Sequence, residues 1–70
     1  MAEVKVFYDK VGNTLTVWFS DPNLEHVSEE TGDEVVLMKD SAGRVIGFEN
    51  LNFNVANSDS LRLSFETAPA

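Results

Sequence analysis

The sequence contains no cysteine and a single histidine, His26. Disulfide bonds are therefore excluded, and a structural zinc site would lack its usual sulfur and imidazole ligands. A chain of 70 residues buries only about 60% of the surface that its unfolded state exposes. Self-association is the remaining common way to stabilise so small a core, and we expect a homodimer.

The sequence also lacks a long apolar run. The longest uninterrupted aliphatic stretch is Val35-Val36-Leu37-Met38, and the residues after Met1 do not combine a basic head with an apolar segment. We therefore expect neither a signal peptide nor a membrane span, and we expect a cytoplasmic protein.

Basic residues are few, five against twelve acidic residues, for a net charge of −7. No lysine or arginine lies between Lys10 and Lys39, and the acidic residues of that interval are Asp21, Glu25, Glu29, Glu30, Asp33 and Glu34. Such a surface, over residues 21–34, repels phosphate backbones and anionic lipids, which disfavours nucleic acid and membrane as partners and favours a basic protein. The alternative is a solvated acidic face that keeps the chain soluble.

The apolar residues that are present alternate with polar ones, which is typical of β-strands. Turn residues separate the alternating segments: Asp9, Gly12 and Asn13 follow the first, Asp21 and Pro22 the second. The predicted strands are residues 3–8, 14–20, an irregular edge strand at 24–30, 34–39, 44–51 with a continuation over 52–55, and 61–66.

These segments predict a mainly β chain, folded as a single antiparallel meander sheet of five to six strands. We expect one domain over residues 1–70, with a core at 3–66 and a frayed tail at 67–70. Residues 34–39 should form the central strand, because consecutive apolar residues suit a strand covered on both faces. Asp40 to Gly43 should form a type I turn that ends in a left-handed glycine. Gly47 should mark a bulge or the close approach of a ring such as that of Trp18.

Apolar side chains fall on both faces of this sheet. By alternation, the side chains of Phe7 and Trp18 point to the face opposite that of their neighbours Tyr8 and Val17. Either the sheet curls on itself or a second subunit covers the surplus, and we favour the homodimer.

Candidate catalytic groups are sparse. Asp9 and Asp21 could approach one another at one end of the first hairpin and act as an acid–base pair, although each also suits a turn in which its carboxylate accepts backbone N–H groups. His26 among carboxylates could carry a proton or bind a metal, but a surface histidine usually does neither. No serine lies in a Gly-x-Ser-x-Gly elbow, and no glycine loop precedes a helix that could bind phosphate. We assign no catalytic residue, cofactor or metal.

Two blocks of sequence carry a resemblance. Tyr8-Asp9, Leu15-Thr16-Val17-Trp18-Phe19 with Asp21, and residues 43–49, Gly-Arg-Val-Ile-Gly-Phe-Glu, together resemble the small prokaryotic domain-of-unknown-function family 2283 over about residues 4–51. The chain departs from that pattern at Ser41-Ala42 and in continuing beyond Leu51. The resemblance implies a compact β-rich fold without an assigned activity, and a connection to antitoxins of toxin–antitoxin pairs.

These observations favour a non-enzymatic protein-binding or structural module. Its contact face would be the acidic surface over residues 21–34, and the antitoxin role is its sharper form. A third hypothesis makes it a subunit that extends the sheet of a larger assembly. The enzymatic alternative is a small hydrolase or isomerase that uses Asp9, Asp21, Glu25 and His26.

Overall fold

A computed structural model describes residues 3–53 and 61–69 and shows one antiparallel sheet. Its strands are β1 (Lys5–Asp9), β2 (Thr14–Trp18), β3 (Val27–Glu30), β4 (Val35–Lys39) and β5 (Val45–Asn50), with a 3-10 turn at Pro22–Leu24 between β2 and β3. The prediction of a mainly β chain with one antiparallel sheet of five to six strands is confirmed. Within the described residues, no helix has the length and hydropathy needed to cross a membrane.

The strand order is β1-β2-β5-β4-β3, so the sheet differs from a simple meander in one connection. The chain crosses from β2 to the far edge, forms β3, and returns through β4 to place β5 beside β2. The prediction that residues 34–39 form the central strand is therefore wrong: β5 is central and β4 is its neighbour. The consecutive apolar residues of β4 indicate an interior strand, and β4 is one. They do not indicate which interior position the strand takes. The sheet is not closed, because β1 and β3 are its two edges.

Turns at both ends of the sheet depend on aspartates. The Asp9 Oδ1 accepts the N–H groups of Val11 and Gly12 at 3.0 Å each, and Asn13 then takes a positive φ of 55°. At the β4–β5 turn, the Gly43 N–H donates to the Asp40 carbonyl at 3.0 Å, and Gly43 has a φ of 83°. The left-handed glycine predicted at this turn is confirmed.

Gly47 lies where the central strand is most crowded. Met38 pairs with Gly47 and Lys39 with Val45, so Ile46 is an extra residue in β5 and forms a bulge. A Cβ at Gly47 would lie 2.6 Å from the Val17 carbonyl oxygen and 2.9 Å from Cε3 of Trp18. Both alternatives predicted for this glycine, a bulge and a close ring, are confirmed.

The core is small. Met38 and Ile46, each 5% exposed, are the buried hydrophobic residues among those described, and no described side chain is fully buried. The sheet is a single layer of strands, so most apolar side chains are only half covered.

Residues 61–66 do not form the strand that their alternation predicts. No strand is assigned to residues 61–69, and no hydrogen bond joins them to the other described residues. Alternation shows that a segment can pair as a strand, but among the described residues no strand pairs with this one. Of the predicted continuation over 52–55, Phe53 lies outside any strand, and its N–H donates to the Asn13 carbonyl at 2.6 Å. Residues 54 and 55 of that continuation lie outside the described residues.

Candidate functional site

The acidic residues predicted as a contact surface lie along one edge of the sheet. All six are exposed, on β3 and on the connections that precede and follow it: Asp21, Glu25, Glu29, Glu30, Asp33 and Glu34. We call this set the acidic edge. Because β3 is an edge strand, one row of its backbone N–H and C=O groups is also left unpaired by the sheet.

The N-terminal part of the acidic edge is ordered by local hydrogen bonds. Asp21 caps the 3-10 turn, and its Oδ1 accepts the Asn23 N–H at 2.9 Å. The Ser28 hydroxyl donates to Glu25. These bonds fix two carboxylates at the start of β3 and leave further lone pairs of both groups facing solvent.

Within β3 the two glutamates point to opposite faces of the sheet. Glu29 lies opposite Leu37 and Glu30 opposite Val36. The Lys39 ammonium lies 2.8 Å from Glu29. Lys39 therefore neutralises the charge of one carboxylate, and the other five carboxylates of the acidic edge keep their negative charge.

The C-terminal part of the acidic edge borders a cavity. Glu34 has a φ of 61°, a backbone region that an L side chain seldom adopts, and its Oε1 accepts the side-chain N–H of Asn52 at 2.9 Å. The cavity has a volume of about 240 Å³. Its lining combines carboxylates and apolar side chains: Glu30, Gly32, Glu34, Val35, Val36 and Leu51.

One face of the sheet is almost continuously apolar. Residues directly opposite one another in the register share a face, which places Val6 beside Val17 and Val17 beside Phe48. We call this the apolar face; its apolar members are Val6, Tyr8, Leu15, Val17, Val27, Val35, Leu37 and Phe48, and the polar residues Asn50, Lys39 and Glu29 also lie on it. The Phe19 ring packs against Phe48 with centroids 5.9 Å apart, yet Phe19 is still 48% exposed.

The chain exposes more surface than its mass requires. Its accessible surface is 5665 Å², whereas a compact monomer of 7.8 kDa exposes about 4,400 Å². Its radius of gyration is 13.5 Å, against about 11 Å for a compact domain of this length. The excess of about 1,300 Å² exceeds the roughly 800 Å² that each partner contributes to a standard interface.

The structure does not bring the predicted acid–base pair together. Asp9 pairs with Thr14 at the turn end of the first hairpin, whereas Asp21 follows Trp18, which pairs with Lys5 at the other end. The two ends of a five-residue strand are about 13 Å apart. The structure therefore does not support an acid–base pair of Asp9 and Asp21, and the alternative that each carboxylate accepts backbone N–H groups in a turn is confirmed.

His26 and the carboxylates around it form no metal cluster in the part of the chain that the structure describes. Across residues 3–53 and 61–69, no three His, Cys, Asp or Glu side chains are placed to hold a metal ion. The backbone N–H of His26 donates to the Lys39 carbonyl at 2.8 Å, which joins the start of β3 to β4.

Asp40 is the buried carboxylate that sequence reasoning did not single out. It is 8% exposed, its Oδ1 accepts the N–H groups of Ala42 and Arg44, and its Oδ2 accepts the Arg44 Nε at 3.0 Å. The bond from the Arg44 N–H is the main reason that the pKa of Asp40 lies below its ordinary value, although burial opposes this shift. The sequence signal was Asp at the first position of a turn that ends in Gly43, and it indicates structure rather than chemistry.

A family model described as "Protein of unknown function (DUF2283)" matches residues 5–54, which include all five strands. The chain belongs to the DUF2283 family. No curated protein and no solved structure matches it. The resemblance drawn from the sequence is therefore confirmed, and residues 61–69 of this DUF2283 chain lie beyond the matched part.

Two surfaces of this DUF2283 chain differ in chemical character. The acidic edge offers exposed carboxylates beside unpaired strand backbone, and the apolar face offers half-covered aliphatic and aromatic side chains. The first suits a cationic protein surface, and the second suits another apolar surface.

Proposed function

We propose that this DUF2283 chain is a non-catalytic, homodimeric protein-interaction module whose acidic edge binds a basic protein. The observation that carries the proposal is the set of six exposed carboxylates on the open edge strand β3 and on the connections that flank it, of which Glu29 forms an ion pair with Lys39. An edge of one charge sign attracts a partner of the opposite sign over about 8 Å at physiological salt and discriminates against anionic surfaces.

The homodimer is supported by the surface that a single chain leaves exposed. The excess of about 1,300 Å² over a compact monomer is enough for a stable interface. The apolar face supplies the side chains for such an interface, with Phe19 and Val27 each 48% exposed. Covering this face removes apolar surface from water, at about 25 cal/mol for each Å².

The dimer is tested by light scattering on the full chain at high micromolar concentration. We expect a mass of twice 7.8 kDa that falls toward one chain on dilution. A mass equal to one chain over the whole concentration range would contradict the homodimer. The binding of a basic partner would then remain to be judged by its own experiment.

Partner binding is tested by affinity capture from the native host at low salt, with three carboxylates of the acidic edge neutralised. The variant Glu25→Gln/Glu30→Gln/Asp33→Asn keeps the Asp21 cap and the ion pair of Glu29. We expect the wild-type chain to retain a basic protein that is released at high salt, and this variant to lose it.

A matched control removes the same number of charges elsewhere. Glu3→Gln/Glu49→Gln/Asp59→Asn changes the net charge equally and leaves the acidic edge intact. We expect it to retain the basic partner. If both triple variants lose the basic partner, net charge rather than the acidic edge explains the binding. If the wild-type chain captures no basic protein, the partner proposal fails.

The sharper form of the proposal is an antitoxin that neutralises a basic toxin. It rests on the charge of the acidic edge and on what the family resemblance implies. An adjacent gene that encodes a small basic protein, toxic alone and harmless when co-expressed with this chain, is the expected result. Toxicity that persists on co-expression would exclude the antitoxin role. The cytoplasm is the proposed compartment, since a chain without cysteine suits a reducing environment.

A further inference from the structure

Residues 61–66 have a strand pattern that the sheet leaves unused. We call them the C-terminal segment. Leu61, Leu63 and Phe65 alternate with Arg62, Ser64 and Glu66. Leu63 is 72% exposed and Phe65 is 85% exposed, and the segment has no hydrogen bond to the other described residues. Two large apolar side chains on a polar, unpaired backbone are unfavourable in water, and pairing with a sheet would cover both.

The β1 edge is the complementary surface. The Phe19 N–H donates to the Ile46 carbonyl. In an antiparallel sheet the backbone hydrogen bonds of successive residues alternate between the two neighbouring strands, so the odd-numbered residues of β2 bond to β5 and the even-numbered residues bond to β1. Lys5, Phe7 and Asp9 of β1 lie opposite those even residues. The backbone groups of Val6 and Tyr8 therefore point outward, away from the sheet.

We propose that the C-terminal segment of each chain pairs antiparallel with β1 of a second copy, as a sixth strand supplied in trans. In the register that we assign, Phe65 lies opposite Val6 and Leu63 opposite Tyr8. Both added side chains then extend the apolar face of the partner. The exchange is reciprocal, because each copy offers one segment and one β1 edge, and such a pairing closes as a symmetric dimer.

Charge selects this register and direction. Glu66 lies opposite Lys5, and Arg62 lies opposite Asp9, so both ends of the added strand carry opposite charges across the pair. Parallel pairing over the same residues would instead set Arg62 against Lys5 and Glu66 against Asp9, two contacts between like charges. The antiparallel register is therefore favoured at both ends.

The other edge fits less well. In β3, Glu29 lies on the apolar face and Glu30 on the opposite face. Whichever face Leu63 and Phe65 take, they would meet a carboxylate, and Glu66 would add a third negative charge. Charged edge strands of this kind resist the addition of another strand.

The second copy supplies a pairing that the single chain does not make. The seven residues between Phe53 and Leu61 can span about 26 Å, so length alone does not keep the C-terminal segment from its own β1. Among the described residues, no strand pairs with the outer edge of β1 or with the C-terminal segment. The inference rests on the proposed homodimer and names its contact surface.

The experiment is a disulfide trap in the full chain, which has no native cysteine. Phe7→Cys/Ser64→Cys places two thiols at a non-hydrogen-bonded pair of the assigned register, where Cα atoms are about 4.5 Å apart and a disulfide forms without strain. Phe7 is 58% exposed, so its replacement leaves the core intact. After oxidation we expect a covalent dimer on a non-reducing gel.

The control variant Ser28→Cys/Ser64→Cys places the first thiol on the opposite edge, and we expect it to stay a single chain. A disulfide within one chain of Phe7→Cys/Ser64→Cys would show pairing in cis and overturn the exchange. Absence of any disulfide would overturn the register. In either case a wild-type mass of two chains by light scattering would leave the homodimer itself standing.

A charge exchange tests the same register without cysteine. Lys5→Glu and Glu66→Lys each create a like-charge pair in both halves of the dimer, and we expect each to weaken dimerisation roughly tenfold. The double variant restores opposite charges and should recover wild-type affinity, whereas Glu30→Lys on the other edge should have no such effect. Failure of the double variant to recover affinity would refute the contact between Lys5 and Glu66.

Discussion

The replacement of Gly47 by alanine tests the packing at the centre of the sheet. Gly47 does not have a positive φ, so backbone strain is not the issue. The added methyl carbon would lie 2.6 Å from the Val17 carbonyl oxygen, 2.9 Å from Cε3 of Trp18 and 3.3 Å from Cε of Met38. A carbon and a carbonyl oxygen in contact are normally at least about 3.3 Å apart. Strands β2 and β5 must therefore separate at Val17, and the Trp18 ring must shift as well.

The size of the loss in the free energy of unfolding depends on which atoms can move away from the added methyl group. Overpacking typically costs about 1–3 kcal/mol, and we expect the upper half of that range because the nearest atom belongs to the backbone. The core of a domain this short rarely supplies more than about 3–5 kcal/mol, so Gly47→Ala should remove about half of the stability. At roughly 4–8 °C for each kcal/mol, the Tm should fall by at least about 10 °C.

The assay is urea unfolding followed by the fluorescence of Trp18, the single tryptophan of the chain. Protein concentration must be held constant, because dimerisation would add to the apparent stability. Val45→Ala, in the same strand at a side chain that is 44% exposed, is the control and should cost less than about 1 kcal/mol. If Gly47→Ala unfolds at the same urea concentration as this control, the close approach at Gly47 does not exist as described.

Three further predictions concern the turns. The lowered pKa of Asp40 means that its carboxylate stabilises the fold above the ordinary aspartate pKa of about 3.9, and that this stability is lost as the pH falls through the folded-state pKa. The free energy of unfolding of Asp40→Asn should accordingly lie below that of the wild type at neutral pH and converge with it in acid; a gap that widens on acidification would be inconsistent with this sign. Asn13 has a φ of 55°, so Asn13→Gly should leave the Tm unchanged or raise it. Asn13→Ala should lower the free energy of unfolding by about 1 kcal/mol. Equal effects of the two substitutions would argue against the left-handed backbone at this position. Asp9→Ala removes the acceptor of two N–H groups and should destabilise the first hairpin by about 1 kcal/mol, a loss that Asp9→Asn, which keeps an acceptor oxygen, should largely avoid in the same unfolding assay.

The acidic edge was predictable because charge and edge position have local signals. A 28-residue interval without a basic residue lies between Lys10 and Lys39, and Pro22 prevents β2 from continuing, which places the next strand apart from it. The role of Asp40 was harder to predict. Its carboxylate is buried and accepts hydrogen bonds from Ala42 and Arg44, and an aspartate at the start of a turn has the same local sequence signal whether it is exposed or buried.

The sequence by itself determined the strands and the turns that end them. Alternating side chains, aspartates at turn starts, Asn13 and Gly43 at positive φ, and the space kept open by Gly47 are all encoded within a few neighbouring residues. Only the tertiary structure decided that β5 returns between β2 and β4, that Asp9 and Asp21 lie at opposite ends of one hairpin, and that residues 61–66 stay outside the sheet. Each of these depends on which strand pairs with which, and pairing is a competition between distant segments of similar pattern that the local sequence does not resolve.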